Sequence, residues 1–351
     1  MSIYSEKLKN PKWQKKRLEI MERDEWKCKI CQDSENELVV HHKRYLKDLE
    51  PWEYDKNDLI TLCVNCHEKE HSVLDSFLVS RGIDEFVTNI DEKTICIHSG
   101  LKSLDKIIGG FQKGEVITLA SAPSVGKTAL ALKIANNIAV ENKIPVAYFS
   151  LEMSSSQLSM RLLASEGKIN LNKIKKNELN RIDFENLHSA ALKIYDSNIF
   201  IDSSFDLSIS KITRIVRNLR VEKNIGIVFI DNIQLFAFNK NDRFGITSQL
   251  KRIAKENDIP VIVLSQLDRQ LEKRADKRPV LSDFYENDIV HNSDIVMFLY
   301  RDEIYNKEES NPNIGIAELT VAKQRNGPLG VVNLIFLSKY TSFEEMDYDY
   351  D

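Results

Sequence analysis

No run in this 351-residue sequence is apolar for the roughly 20 residues that a helix needs to cross a bilayer. No secretory leader is legible at its start. Net positive charge is missing as well: 53 Asp and Glu outweigh 49 Lys and Arg, for a formal charge of −4. A global field that draws in nucleic acid is therefore excluded, and any DNA contact must come from local patches. There is no internal repeat and no long low-complexity segment. Cysteine is scarce: of five, Cys28, Cys31, Cys63 and Cys66 crowd into one stretch, and Cys96 stands apart. The setting expected from these absences is soluble, reducing and cytoplasmic, with no membrane partner. Paired cysteines there read as metal ligands and not as disulfides.

What is present reads as globular. Hydrophobic residues make up an ordinary 42%, and the length suits a small module beside a large one. Residues 1–75 hold a Cys/His cluster, 76–96 a helix and linker, 97–341 a strand–helix alternation, and 342–351 an acidic tail expected to fray. Apolar runs at Glu115–Ser121, Pro145–Leu151, Ile199–Asp202, Gly226–Asp231, Pro260–Gln266 and Asp294–Tyr300 predict buried strands. Periodic segments at Lys127–Ala139, Ser208–Val221 and Ile246–Glu256 predict amphipathic helices between them. That alternation predicts an α/β class with a mostly parallel sheet covered on both faces. A basic run, Lys7, Lys9, Lys12, Lys15, Lys16, Arg17, Arg23, Lys27 and Lys29, is either a solvated helix face or a local DNA contact.

Cys28-Lys-Ile-Cys31 and Cys63-Val-Asn-Cys66 have the spacing of a tetrahedral four-thiolate Zn2+ site. Such a site staples a region too small to bury much core. Four of the seven histidines, His41, His42, His67 and His71, share this stretch. His67 and His71 are four apart on an apparent helix and project from one face. His41 and His42 follow the β-like run Leu38-Val39-Val40, so one can hold a metal while the other faces substrate. Phosphodiester hydrolysis needs a cation for the developing charge and a base to activate water. Imidazole, with an ordinary pKa of about 6.5, suits the base role. The alternative is a zinc-stapled DNA-binding knuckle without catalysis.

From Trp13 through Arg17, Leu18, Cys28, Cys31, Val40-His41-His42, Pro51-Trp52, Leu59-Ile60-Thr61-Leu62-Cys63 and Cys66-His67 to His71, the sequence resembles the HNH endonuclease family. The resemblance implies a ββα element in which His42 is the general base. It implies that His41, His67 and His71 hold one divalent ion such as Mg2+ or Mn2+. The family asparagine that orients the base falls just before the Leu-x-x-Leu-Cys run. Here that slot is Asp58, with Asn57 one place earlier, and a carboxylate can also orient an imidazole.

Ser121-Ala-Pro-Ser124-Val125-Gly126-Lys127-Thr128 follows a buried run and opens a helix, the context that a phosphate-binding loop requires. Backbone N–H groups through Ser124, Val125 and Gly126, with the helix N-terminus, would cradle the phosphates of ATP. Lys127 would contact the outer phosphates and Thr128 would ligate Mg2+. Ser121 replaces the usual first glycine. Ile227-Val-Phe-Ile-Asp231 supplies an apolar strand ending in an acid for the magnesium shell. Together they predict an ATPase.

Six further segments narrow the family: Gly100-Leu-Lys-Ser-Leu-Asp105, Gly109-Gly-Phe-Gln-Lys-Gly114, Ser150-Leu-Glu152-Met, Leu264-Ser-Gln266-Leu, Asp294-Ile-Val-Met-Phe-Leu-Tyr-Arg301 and Lys323-Gln-Arg325-Asn-Gly-Pro328. With them, residues 97–341 resemble the C-terminal ATPase domain of the DnaB-type replicative helicases. The implied whole is α/β: a small zinc-stapled ββα HNH module followed by a RecA-like P-loop ATPase. By resemblance, Glu152 polarises the attacking water and Gln266 senses the γ-phosphate. Lys323 and Arg325 act as fingers in a neighbouring subunit's site, which implies a ring, usually a hexamer. Two segments depart from the family. The stretch from Asp231 to Ile246, a central DNA-binding loop, is short. A second loop reads Ser282-Asp-Phe-Tyr285-Glu-Asn-Asp288, so that Tyr285 stands for an arginine and Asp288 for a glycine. Both changes oppose phosphate binding. Lys240, Lys251, Arg252 and the stretch Arg269–Arg278 are the remaining cations that could face DNA. The function expected is a ring-forming ATPase that controls or delivers an HNH nuclease acting on DNA, suited to defence against foreign DNA. The alternatives are a phage or plasmid replicative helicase whose zinc module only grips DNA, and a non-enzymatic assembly protein that uses ATP as a clamp.

Overall fold

The computed structural model describes residues 10–43, 49–75, 96–238, 243–284 and 287–346. The chain divides into two compact units, Met1–Lys93 and Thr94–Asp351. No described helix is long and apolar enough to cross a membrane.

The first unit is built on a helix, Pro11–Arg23, that Asn10 caps by accepting from the Lys12 amide. It buries Trp13, Ile20 and Met21 against an antiparallel hairpin of β1 (Leu38–His42) and β2 (Leu59–Cys63). A second helix, Val64–Asp75, leaves β2 directly and completes the ββα element. Two cations of the basic run are structural. Arg17 donates to the Leu38 carbonyl at 3.2 Å, and Arg23 donates to the Leu59 carbonyl at 2.9 Å and pairs with Asp24. Burial raises the Asp24 carboxyl, but Arg23 and the Thr61 amide outweigh it and hold it below the ordinary carboxylate range. Lys12, Lys15, Lys27 and Lys29 remain exposed.

The second unit opens with a small ladder of β3 (Cys96–Ile97) and β4 (Phe111–Gln112). Its main sheet contains β5 (Val116–Ser121), β6 (Val146–Ser150), β7 (Ile199–Asp202), β8 (Ile227–Asp231), β9 (Val261–Gln266), β10 (Ile295–Tyr300), β11 (Ile316–Gln324), β12 (Gly330–Leu337) and β13 (Ser342–Glu345). Among the described residues the order is β13-β12-β11-β10-β5-β9-β8-β6-β7. From β10 to β7 every pairing is parallel, and from β10 to β13 every pairing is antiparallel. β5, β6, β8 and β10 are buried along their whole length, as strands covered on both faces must be, which is why they read as unbroken apolar runs.

The expected boundary at 341 needs correction. Ser342–Glu345 is the last strand of the sheet, not part of a frayed tail. Phe343 is fully buried against Phe336, Glu345 accepts from Ser103, and Glu344 pairs with Lys133. Acidic neighbours disguised one apolar anchor; residues 347–351 lie outside the described ones.

Candidate active sites

The four cysteines meet at one point. Their sulfurs all lie within 4.8 Å of one another, with Cys31 and Cys63 at 3.7 Å. A disulfide would need about 2 Å, whereas the edge of a four-thiolate zinc tetrahedron is about 3.8 Å. Burial opposes the Cys28 thiolate, but amide N–H groups of Cys31, Cys63 and Ile30 draw its pKa down to about 6. Burial and the neighbouring sulfurs push the Cys66 thiol up to about 12, and four sulfurs this close together are what a tetrahedral divalent cation fits. Leu62, Leu38 and Ile60 pack around the thiols. All three tryptophans, Trp13, Trp26 and Trp52, belong to this unit. Chelation of the zinc is therefore expected to red-shift tryptophan emission while ATP hydrolysis persists, because structural zinc contributes on the order of 10 kcal/mol to such folds. Unchanged emission after verified loss of zinc would make the cluster dispensable.

Register places the histidines at the other end of the same hairpin. Leu38 faces Cys63 beside the zinc cluster, and four residues on, His42 faces Leu59. His41 and His42 are both only 4% exposed. The His41 ring meets the His67 ring edge-on with centroids 5.2 Å apart, two imidazoles fit to share an ion. His42 stacks on Trp13 at 5.0 Å and meets Tyr54 edge-on at 4.5 Å. Burial lowers the His42 pKa, only partly offset by a hydrogen bond with the Pro51 backbone, which favours the neutral ring. Asp58 is half-buried, and its carbonyl extends the hairpin by accepting from the Lys43 amide at 2.8 Å. Asn57 is exposed. His71 lies on the helix Val64–Asp75, but its side chain is outside the described residues.

The nucleotide site forms where β5 ends. The left-handed positions of the loop are Ser124 (φ 62°) and Gly126 (φ 113°). Ser121 sits buried inside β5 and needs no such freedom, which explains why the missing first glycine costs nothing. Gly126 is a close approach: a Cβ there would lie 3.0 Å from Phe343. Lys127 is buried at the start of helix Lys127–Asn136. Burial lowers its ammonium pKa, and the carboxylates of Asp231 and Glu152 pull it back up. Asp231, at the end of β8, has its carboxyl raised by burial and opposed by the Thr128 hydroxyl and Lys127. Tyr148 donates to Asp231 Oδ2 at 3.1 Å, and Oδ1 is buried without a hydrogen-bond partner among the described residues, an acceptor fit for a hydrated Mg2+. Glu152 and Gln266 are exposed beside this site and at the tip of β9.

Three supporting residues were not singled out from the sequence. Tyr148 is one. Gln234 donates to the Ser265 hydroxyl at 2.7 Å and accepts from the Gln266 amide at 3.0 Å, so it fixes the end of β9. Arg301 donates to the Val125 carbonyl at 3.0 Å and lies 3.7 Å over the Phe336 ring, clamping the phosphate loop. An arginine ending a buried strand (β10) was the available signal.

Lys323 and Arg325 lie at the opposite edge of the sheet. Ile117 of β5 pairs with Ile295 of β10, and Val296 pairs with Lys323. The phosphate loop leaves the far end of β5, on the order of 15 Å away along the strand. Both cations therefore start from the end of the sheet away from their own subunit's phosphate loop.

The segment 282–288 is partly described. Lys240, Tyr285 and Glu286 lie outside the described residues. Asp288 is half-buried and accepts from Thr247 and from Asn292, so it also has a structural role. Four of the alternative cations are engaged, Lys251 with Asp294, Arg252 with Glu256, Arg274 with Asp283 and Arg278 with Glu318.

A mostly parallel sheet with its phosphate loop after β5 and its acid on β8 defines the second unit as a RecA-like P-loop ATPase. Residues 96–345 match the family model described as DnaB-like helicase C terminal domain, and the chain belongs to that family. Residues 28–73 match the HNH endonuclease model. The chain is 40% identical over 275 residues to the replicative DNA helicase DnaB of Geobacillus stearothermophilus, an alignment covering 76% of this chain and 60% of that protein. It is 42% identical over 263 residues to the replicative DNA helicase DnaC of Bacillus subtilis, covering 73% and 58%. The chain thus spans about 60% of the length of these curated relatives. Among solved structures, an ATPase domain superposes with a TM-score of 0.71 at 35% identity, covering 77% of this chain and 99% of that one. A DnaB-like replicative helicase solved in a study of its interactions with primase gives 0.68 at 35% identity, covering 76% and 66%.

Proposed function

We propose that this protein is an ATP-hydrolysing, ring-forming DNA endonuclease in which the DnaB-like unit controls or delivers the HNH unit. The observation that carries this reading is the pairing, in one chain, of a Lys127–Thr128–Asp231 nucleotide site with a His41–His67 pair beside His42. His42 acts as the base and Asp58 orients it. His41, His67 and His71 hold a divalent ion, which when bound supplies Lewis-acid stabilisation of the phosphodiester. His42 is nearly buried under Trp13 and Tyr54, so cutting requires that cover to part. At the other site, Ser124, Val125 and Gly126 cradle the phosphates and Glu152 polarises water. Gln266 reads the γ-phosphate and Thr128 with Asp231 holds Mg2+. Exposed Lys12, Lys15, Lys27 and Lys29 are the DNA contacts of the first unit. A cutter joined to a motor suits defence against foreign DNA. The experiment is metal-dependent nicking of plasmid DNA by the full chain. A protein that unwinds forked DNA but never cuts would instead be a replicative helicase with a zinc grip, a reading favoured by the long similarity to such helicases.

The placement of Lys323 and Arg325, at the end of the sheet away from their own phosphate loop, supports a ring in which both act at a neighbour's site. Arg325→Ala is expected to spare ATP binding but depress turnover by ~10³-fold on the scale of arginine fingers. Mixing it with Lys127→Ala should restore part of the activity, since each subunit supplies what the other lacks. A monomer with full turnover at every concentration would end the ring proposal.

A further inference from the structure

Asp294 sits immediately before β10 and is 5% exposed. Its backbone is fixed in both directions: its amide donates to the Val116 carbonyl at 2.8 Å, and its carbonyl accepts from the Arg325 amide at 3.0 Å. Its carboxylate is shared. Oδ2 accepts from the Val116 amide at 2.8 Å and from Lys251. Oδ1 lies 3.4 Å from Nε of Arg325. Glu115 is the other carboxylate of this cluster and Lys323 the other cation.

Both finger cations also rest on the segment ahead of Asp294. Lys323 donates to the carbonyls of Val290 at 2.5 Å and Ser293 at 2.6 Å, and Arg325 donates to that of His291 at 3.0 Å. The short helix Asn287–Asn292 therefore supplies acceptors to both fingers. It is tied in turn to the helix Arg243–Asn257, because the Thr247 hydroxyl donates to Asp288 and accepts from Asn292 at 2.9 Å. Lys251 of that same helix reaches Asp294. Each of the two helices begins within one of the segments that depart from the helicase pattern.

We propose that Asp294 is a positioning residue for Arg325, and that through it the two helices behind the candidate DNA loops set where the finger points. The proposal rests on the ring reading above. Arg325 is long and half-exposed (48%), and it lies in a cluster with Lys323 and Lys251, cations that repel it. The Asp294 carboxylate offsets that repulsion and removes rotational freedom from the guanidinium. A finger stabilises a transition state only when it is preorganised, and small misplacements are costly. Movement of either helix shifts the acceptors of both cations together, so a change at the loops reaches the neighbour's nucleotide.

The test uses the full chain. Asp294→Asn keeps an acceptor for the Val116 amide but discharges the anchor. Its kcat for ATP is expected to fall about tenfold or more, with KM and nucleotide binding unchanged. In an Arg325→Ala background the same change should cost nothing further, because Asp294 acts through Arg325. Mixed with Lys127→Ala, Asp294→Asn should regain activity, since its own phosphate loop is intact. Thr247→Val, which leaves the buried charge in place, carries the same double-mutant test should melting reveal that Asp294→Asn is unfolded. Equal slowing by Asp294→Asn with and without Arg325 would overturn the proposal while leaving the ring intact. Wild-type turnover in Arg325→Ala alone would remove both.

Discussion

Loss of DNA cleavage is the expected result of His42→Ala, with zinc content and ATP turnover unchanged. A positioned base contributes roughly 10²–10⁴-fold, and among the described residues no other imidazole packs on Trp13 and Tyr54: His41 meets His67 instead. The zinc cluster begins four residues back along β1, at the Leu38–Cys63 pair, on the order of 13 Å along the strand. The substitution leaves space between two aromatic rings, so some loss of stability is expected. His42→Gln keeps most of that volume and should be equally inactive. Cleavage by His42→Ala at the wild-type rate, with zinc retained, would remove the base from this position.

Lys127→Ala should lose nucleotide binding or turnover altogether. The lysine is buried and feels the carboxylates of Asp231 and Glu152, and without it those charges face the ATP phosphates uncompensated. Glu152→Gln separates binding from chemistry. It should hold ATP and hydrolyse it slowly, by the roughly 10²–10⁴-fold that a general base is worth. Isothermal titration with a non-hydrolysable analogue, set beside steady-state turnover, measures both. Normal turnover in Glu152→Gln would move the activating carboxylate elsewhere.

The parallel strands were legible because burial on both faces leaves them few polar positions; Ile227–Asp231 is apolar up to its final acid. The zinc cluster was legible because two Cys-x-x-Cys pairs allow little else. Helices Ser155–Glu166 and Arg181–Tyr195 were not. Arg181–Tyr195 exposes Phe184, Leu192 and Tyr195, which blurs its amphipathic period. Their capping boxes, Ser154 with Gln157 and Asn180 with Asp183, were the local signals available. Asp288 was legible only in part. Read against a family glycine it was only an added anion, and its bonds to Thr247 and Asn292, 41 residues away and on the next turn, leave no trace in local pattern. Asp294 and Arg301 act through contacts that only the closed sheet creates.

The most direct measurement is nicking of supercoiled plasmid by the full chain, with and without ATP and with Mg2+ or Mn2+, beside Lys127→Ala. The expected result is metal-dependent cleavage by both proteins, at a rate that ATP changes in the wild type and leaves unaltered in Lys127→Ala. Cleavage that ignores ATP in the wild type, or no cleavage with either metal, would contradict a nuclease governed by its ATPase.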